Sequence, residues 1–338
     1  MKALVYCGAH DLRWDDWHEQ PPEAGEVIVN VRAVGICGSD LHGYTGESGR
    51  RVPPMIMGHE ATGIVSQIGE SVPGTWIGAR VIVQPFVACG TCDFCQRGQR
   101  NLCRRRRFYG GNIDGAMLER FRVPVTNLVP LPDTLDFATG TLTEPFAVAL
   151  HAVRQAGDLL GKQVLIAGCG PIGLLTLVAA RRAGAQSIRI TDVNPARLEA
   201  ARRLGADQAI NVAEAALQPT PNAPDAEVDT AFDAVGITAT LGQALNAVRP
   251  GGTVIALGGW RTVEVNLAPF VAREITLRGT FNFTPDEFDL ARGLLADRIF
   301  DPACLITGVE PLRGGAQVFA RLAQGQGDSI KVVLTHPD

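Results

Sequence analysis

The stretch from about Thr143 to Thr280 alternates two kinds of apolar run, and this limits the possible folds more than any other feature. KQVLIAG (162–168) is short and continuously apolar, as a strand covered on both faces must be. LLTLVAARRAG (174–184) has helical spacing and stops at a glycine, SIRITD (187–192) is strand-like again, and PARLEAARRLGA is a second helix. QAIN (208–211), EVDTAFDAVG (227–236), TVIALGG (253–259) and EITLRGT (274–280) continue the series. Strands joined through helices pair in parallel, so the expectation is an α/β fold with a doubly wound parallel sheet. The polar run QPTPNAPDAE (218–227) reads as a loop between its elements.

The first 140 residues have a different texture. EVIVNVRAVGI (26–36), GIVSQIG (63–69) and RVIVQPF (80–86) are strand-like runs divided by turns, which predicts an all-β, barrel-like unit. EPFAVALHAVRQAG then opens the helical region. A tail from about Phe283 holds a helix, EFDLARGLLA, and a last strand, IKVVLT (330–335), and is expected to return to the first unit. A chain of 338 residues exceeds one compact core. The expected domains are therefore 1–145 with 285–338, and 146–284. A net charge of −4 argues against nucleic acid or an anionic membrane as partner. No run of about 18 apolar residues offers a transmembrane helix, and the N-terminus lacks a signal peptide's apolar core. A cytoplasmic protein acting on a small molecule is expected.

VLIAGCGPIG places Gly168, Gly170 and Gly173 as G-x-G-x-x-G between a strand and a helix. One glycine makes the tight turn, one lets the backbone approach a pyrophosphate, and one permits close helix–strand packing. The helix start then offers free N–H groups and a positive dipole end to the phosphates. Asp192 closes the next strand, where a carboxylate can take the ribose hydroxyls and would repel a 2′-phosphate. NAD is favoured over NADP. Arg197 leaves three readings open: a stack on adenine, a phosphate contact, or a solvated helix residue.

Of eight cysteines, four stand in CGTCDFCQRGQRNLC (89–103) as C-x2-C-x2-C-x7-C. So short a lobe cannot bury its own core, and a zinc held by Cys89, Cys92, Cys95 and Cys103 can organise it. Four thiolates fill the coordination shell and leave no place for substrate. The iron–sulfur alternative expects x3 and a proline where this chain has x7 and none. Cys7, Cys169 and Cys304 read as packing residues. Cys37 in VGICGSDLH and His59 in MGHEATG, with Glu60 and Glu144, supply a mixed donor set suited to zinc with an open position.

Taken together, CGSDLH, GHE, the cysteine lobe, DGAMLERFRVP (114–124), LTEPFAVALHA (142–152), AGCGPIG and GADQAI resemble the zinc-dependent medium-chain alcohol/polyol dehydrogenases. Within that family the likeness is to the sorbitol, butanediol and threonine dehydrogenase branch. The resemblance implies a GroES-like β-barrel catalytic domain and a Rossmann domain. It implies two zinc ions per chain, NAD, and a homo-oligomer, dimer or tetramer. Cys37 and His59 match the catalytic zinc ligands, while Glu60 and Glu144 match acids that ligate or approach the metal. Asp40 matches the carboxylate that orients the ligating histidine. Ser39 matches the hydroxyl that takes the alcohol's proton, and His42 the residue that passes it on. Cofactor contacts are implied for Gly168, Gly170, Pro171, Ile172, Gly173, Asp192, Arg197, Val235, Gly236, Leu257, Gly258, Phe281 and Asn282.

The implied activity is oxidation of a secondary alcohol in a polyol, vicinal diol or sugar-derived compound. Oxidation of a hydroxy amino acid, as by threonine dehydrogenase, is the alternative, and a non-catalytic nicotinamide-binding protein is a third reading. The loop 44–55, Phe108–Tyr109 and FNF (281–283) are expected at the substrate pocket, and Trp260 near the nicotinamide or capping the sheet. The arginine that sorbitol-type enzymes carry near Asn282 is missing. Arg50–Arg51 and Arg104–Arg107 read as solvated or subunit-contact loops, or else face an acidic substrate.

Overall fold

The computed structural model describes residues 1–49, 51–214, 227–259, 262–325 and 327–336. The chain divides into two compact units, Met1–Glu144 with Thr284–Asp338, and Pro145–Phe283.

The second unit is built on six strands, all parallel. Gln163–Ala167 lies between Ser187–Asp192 and Val228–Asp233. Gln208–Asn211 extends one side, and Val248–Ala256 then Thr276–Gly279 the other. Numbered along the chain, the order is 3-2-1-4-5-6, the doubly wound arrangement expected of alternating strands and helices. Val164, Ile166, Ile188, Ile190, Phe232 and Ile255 are buried in the sheet. The helix Pro171–Arg182 starts with proline at its first position, and Pro195–Arg203 is capped by Asn194, which accepts from Ala196 N and Arg197 N. Thr276–Gly279 forms an edge of the sheet and is exposed along its length. Residues 218–226 of the expected polar loop lie outside the described residues, as do Arg50 and Trp260.

In the first unit the strand Glu26–Gly35 is the organiser. It pairs antiparallel with Glu60–Ile68, Arg120–Pro124 and Lys331–Thr335, so the tail does return to the first unit. Register shifts at Ile28/Val29 and Val31/Ala33 bend it, as a curved sheet requires. Its inner face joins Val27, Val29, Val31, Val65, Val83, Phe121 and Phe319 in one core, each fully buried side chain contributing about 1.5–3 kcal/mol. The register places Gly35 opposite Glu60 on one side and Val333 on the other. Three distant parts of the chain thus meet just before Cys37.

Candidate metal centres and nucleotide cradle

Cys37 follows the organising strand and caps the helix Gly38–Tyr44, and its N–H donates to Asp40 Oδ2 at 3.1 Å. His59 immediately precedes the paired strand and Glu60 opens it. Cys37, His59 and Glu60 each present a ligand atom, all within 4.8 Å of one another. Thiolate, imidazole and carboxylate at such spacing fit a tetrahedral zinc with one position open. Glu144 is buried but stands outside this set of three. Burial pushes its carboxyl up to about 7, with His59 opposing and Glu60 adding to the rise.

A backbone contact fixes His59 from below. Gly58 (φ +93°) packs directly on Gly110 and Gly115, and a Cβ on Gly115 would stand 2.2 Å from Gly58 O. Ala116 N donates to Gly58 O at 3.0 Å and Met117 N to Met57 O at 3.0 Å, so DGAM fastens MGHE. Above His59 lies the Phe108 ring, 5.0 Å away between centroids and stacked on Phe86. Tyr109 is buried against Phe121, and Tyr44 against Phe319.

Asp40 is fully buried and its Oδ1 lies 3.6 Å from His59 Nδ1, which leaves Nε2 as the nitrogen for a metal. Burial alone would raise the Asp40 carboxyl, but His59 and Arg51 outweigh it and lower it to about 2. Burial likewise opposes charge on His59, yet Asp40 and Cys37 raise it well above the imidazole range. A metal held by His59 would take the place of that proton, because a ligating imidazole is neutral. Arg51 does not face a substrate: its side chain is buried and bonded to Asp40. The acidic-substrate role considered for it is thereby overturned, because its charge is already spent.

Lys331 was not singled out in the sequence. Its ammonium, buried, donates to Glu60 Oε1 at 2.6 Å and to Ile36 O at 3.0 Å. Burial would lower its pKa, but Glu60 and Cys37 raise it. Ser39 is half-buried on the first turn of the same short helix. His42, partly exposed, shares its Nδ1 with Glu47 Oε2 at 3.0 Å, a partner also missed in the sequence.

The four lobe cysteines also present ligand atoms within 4.8 Å of one another. Their Sγ–Sγ separations are 3.5 Å (Cys92–Cys95), 3.5 Å (Cys89–Cys103) and 3.9 Å (Cys89–Cys95). Zinc–sulfur bonds of about 2.3 Å give tetrahedral edges of about 3.8 Å, so the set fits zinc. The arginines that follow fold back on it. Arg104 lies over the Phe94 ring, Arg105 donates to Thr91 Oγ1 at 2.7 Å and Cys89 Sγ at 3.6 Å, and Arg106 donates to Cys103 O at 3.1 Å.

In the second unit, the residues expected at a cofactor follow the C-terminal ends of five parallel strands. Gly168 has φ +101°, and a Cβ on Gly173 would stand 1.8 Å from Gly168 O. A Cβ on Gly170 would meet nothing, so that glycine leaves open the space a pyrophosphate takes. Asp192 Oδ2 accepts from Cys169 N at 2.7 Å, and Oδ1 from Val193 N and Asn194 N. Asp233 holds Val235 N and Gly236 N, and Gly236 packs backbone to backbone on Gly258. Leu257 and Gly258 follow the fifth strand, and Phe281 and Asn282 (φ +56°) the sixth. Arg197 sits partly buried on the first turn after Asn194.

Two family models match the chain, the alcohol dehydrogenase GroES-like domain over residues 23–133 and the zinc-binding dehydrogenase domain over 171–297. The sorbitol dehydrogenase of Bacillus subtilis is 35% identical across 99% of this chain and 97% of its own. The chain belongs to the zinc-dependent medium-chain alcohol/polyol dehydrogenases. This dehydrogenase also superposes on an alcohol dehydrogenase of Escherichia coli CFT073 in complex with NADH (TM-score 0.92, 28% identity, 99% of both chains). It superposes similarly on L-idonate 5-dehydrogenase of Escherichia coli K-12 (TM-score 0.88, 30% identity, 99% and 98%). The GroES-like and Rossmann folds expected of the dehydrogenase are those of its relatives.

Proposed function

We propose that this dehydrogenase oxidises a secondary alcohol of a polyol, vicinal diol or sugar-derived compound to the ketone, with NAD as hydride acceptor. The observation that carries the reading is the mixed donor set of Cys37, His59 and Glu60, in a chain that also holds the strand–glycine–helix cradle ending at Asp192. When bound, zinc supplies a Lewis acid for the alcohol oxygen and nicotinamide supplies the acceptor. Ser39 takes the hydroxyl proton, and His42, its Nδ1 held by Glu47, passes it toward solvent. Phe108 walls the site beside His59, and Lys331 holds Glu60 in reach of the metal.

The unit Met1–Glu144 with Thr284–Asp338 carries the chemistry, and Pro145–Phe283 holds NAD. The lobe binds a second, structural zinc, giving two per chain. A cytoplasmic setting belongs to the same reading: five of the eight cysteines, Cys37 and the four of the lobe, stand as metal ligands, a use of cysteine expected where thiols are kept reduced. Among the described residues no helix is long and apolar enough to cross a membrane. The exposed edge strand Thr276–Gly279, with Leu277 on it, supports assembly of copies into a dimer or tetramer. Two of the relatives named above are, by name, a polyol and a sugar-acid dehydrogenase, which disfavours the hydroxy amino acid alternative. Initial rates with polyols, vicinal diols, sugar acids and threonine, each with NAD and NADP, test the reading. A polyol or diol with NAD should give the highest kcat/KM; turnover of threonine alone would refute it.

A further inference from the structure

Arg51 spends every nitrogen of its guanidinium inside the first unit. Nε donates to Gly110 O at 2.8 Å, Nη1 to Ser39 O at 2.5 Å and Nη2 to Asp40 Oδ1 at 2.8 Å. The Arg51 side chain is 6% exposed and that of Asp40 0%, so water does not share the contact. The slot exists because residue 43 is glycine: a Cβ there would stand 2.5 Å from Arg51 Cδ and Nη1. The three acceptors belong to three parts of the site. Ser39 is the candidate proton acceptor, Asp40 faces His59 Nδ1, and Gly110 lies two residues beyond Phe108 and against Gly58.

We infer that Arg51 is a positioning residue for the metal centre, clamping the Asp40 carboxylate against His59 and so setting the imidazole's tilt toward Cys37 and Glu60. This rests on the reading of Cys37, His59 and Glu60 as a zinc centre. A planar fork with donors in fixed directions reaches all three acceptors at once; a lysine ammonium at the end of a flexible stem does not. Without the fork, Asp40 keeps only the Cys37 N–H and the histidine, and its carboxylate is free to rotate. Partners at this remove from a metal typically change its affinity or activity about 10–100-fold.

The test uses the zinc-loaded enzyme with Arg51→Met, Arg51→Lys and Gly43→Ala, and Cys37→Ser as the reference. Zinc per chain and its dissociation constant are measured by competition with a chromophoric chelator. Cobalt(II) exchanged into the same centre reports coordination geometry through its visible bands. Expected is a loss of affinity of about 10–100-fold for one zinc in Arg51→Met and Gly43→Ala, with shifted cobalt bands and the lobe zinc retained. Arg51→Lys should keep the fold but not the cobalt spectrum, and methylguanidinium added to Arg51→Met at non-denaturing concentration should restore it. Wild-type zinc affinity and cobalt bands in all three variants would overturn the inference. So would a rise in alcohol KM alone, which would return Arg51 to substrate contact. If Cys37→Ser kept both zinc ions, the metal reading itself would fall, and this inference with it.

Discussion

Removing the charge of Lys331 while keeping most of its stem, as in Lys331→Met, isolates the ion pair behind the metal centre. The two side chains are 2% and 1% exposed, and Lys331 Nζ lies 2.6 Å from Glu60 Oε1. Breaking one side of such a pair leaves a charge buried without compensation, at a cost of about 3–5 kcal/mol. In a unit of this size 1 kcal/mol moves Tm by about 2–4 °C, so the metal-stripped variant should melt about 6–20 °C lower than metal-stripped wild type. Zinc gives Glu60 a second counter-charge, so the deficit should shrink in the zinc-loaded enzyme. The double variant Glu60→Gln/Lys331→Met should recover most of the loss, because removing both partners is far cheaper than removing one. Thermal unfolding followed by circular dichroism, with and without chelator, reads all of these. A single variant melting within about 2 °C of wild type in chelator would refute the reasoning. A double variant less stable than the single would refute it too.

Three further outcomes are expected. Gly115→Ala puts a methyl 2.2 Å from Gly58 O, and should cost about 1–3 kcal/mol in urea unfolding and lower kcat, since His59 must move. Cys103→Ser should release one zinc per chain and speed proteolysis between residues 89 and 107, while chelator competition still finds the Cys37 zinc. Asp192→Ala removes a charged acceptor worth about 1.5–3 kcal/mol, so KM for NAD should rise about ten- to a hundredfold in initial-rate assays, with discrimination against NADP weakened.

The local signals were legible and the long-range ones were not. The cysteine lobe and the strand–glycine–helix–acid order can be read because each feature is fixed within a few residues of chain. Gly170 and Gly173 announce their roles in sequence, and the structure shows why: one leaves room, the other removes a clash. Lys331 was invisible because its partner Glu60 is 271 residues away and a lysine beginning a strand normally points to water. Arg51 was visible but misread. Nothing in YTGESGRRVPPM marks the slot that Gly43 leaves for it, so a buried arginine looks like a loop arginine. The run Arg104–Arg107 differs from Arg51: Arg104, Arg105 and Arg107 are exposed, as a solvated loop would have them, and what the sequence did not show is that Arg104, Arg105 and Arg106 also turn back onto the lobe.

Phe108 lies only five positions beyond Cys103, and two more reach Gly110, which bears on the backbone just before His59. The lobe therefore acts as an anchorage for the floor and wall of a centre in which it has no chemical part. On the proposed zinc reading, the dependence should run one way. Stripping the metal at Cys37 should leave the anchorage intact and the loss reversible. Oxidising or demetallating the lobe should slacken the tether and misalign a histidine it does not ligate, so inactivation from that side should precede unfolding and resist repair by zinc supplied to the centre alone.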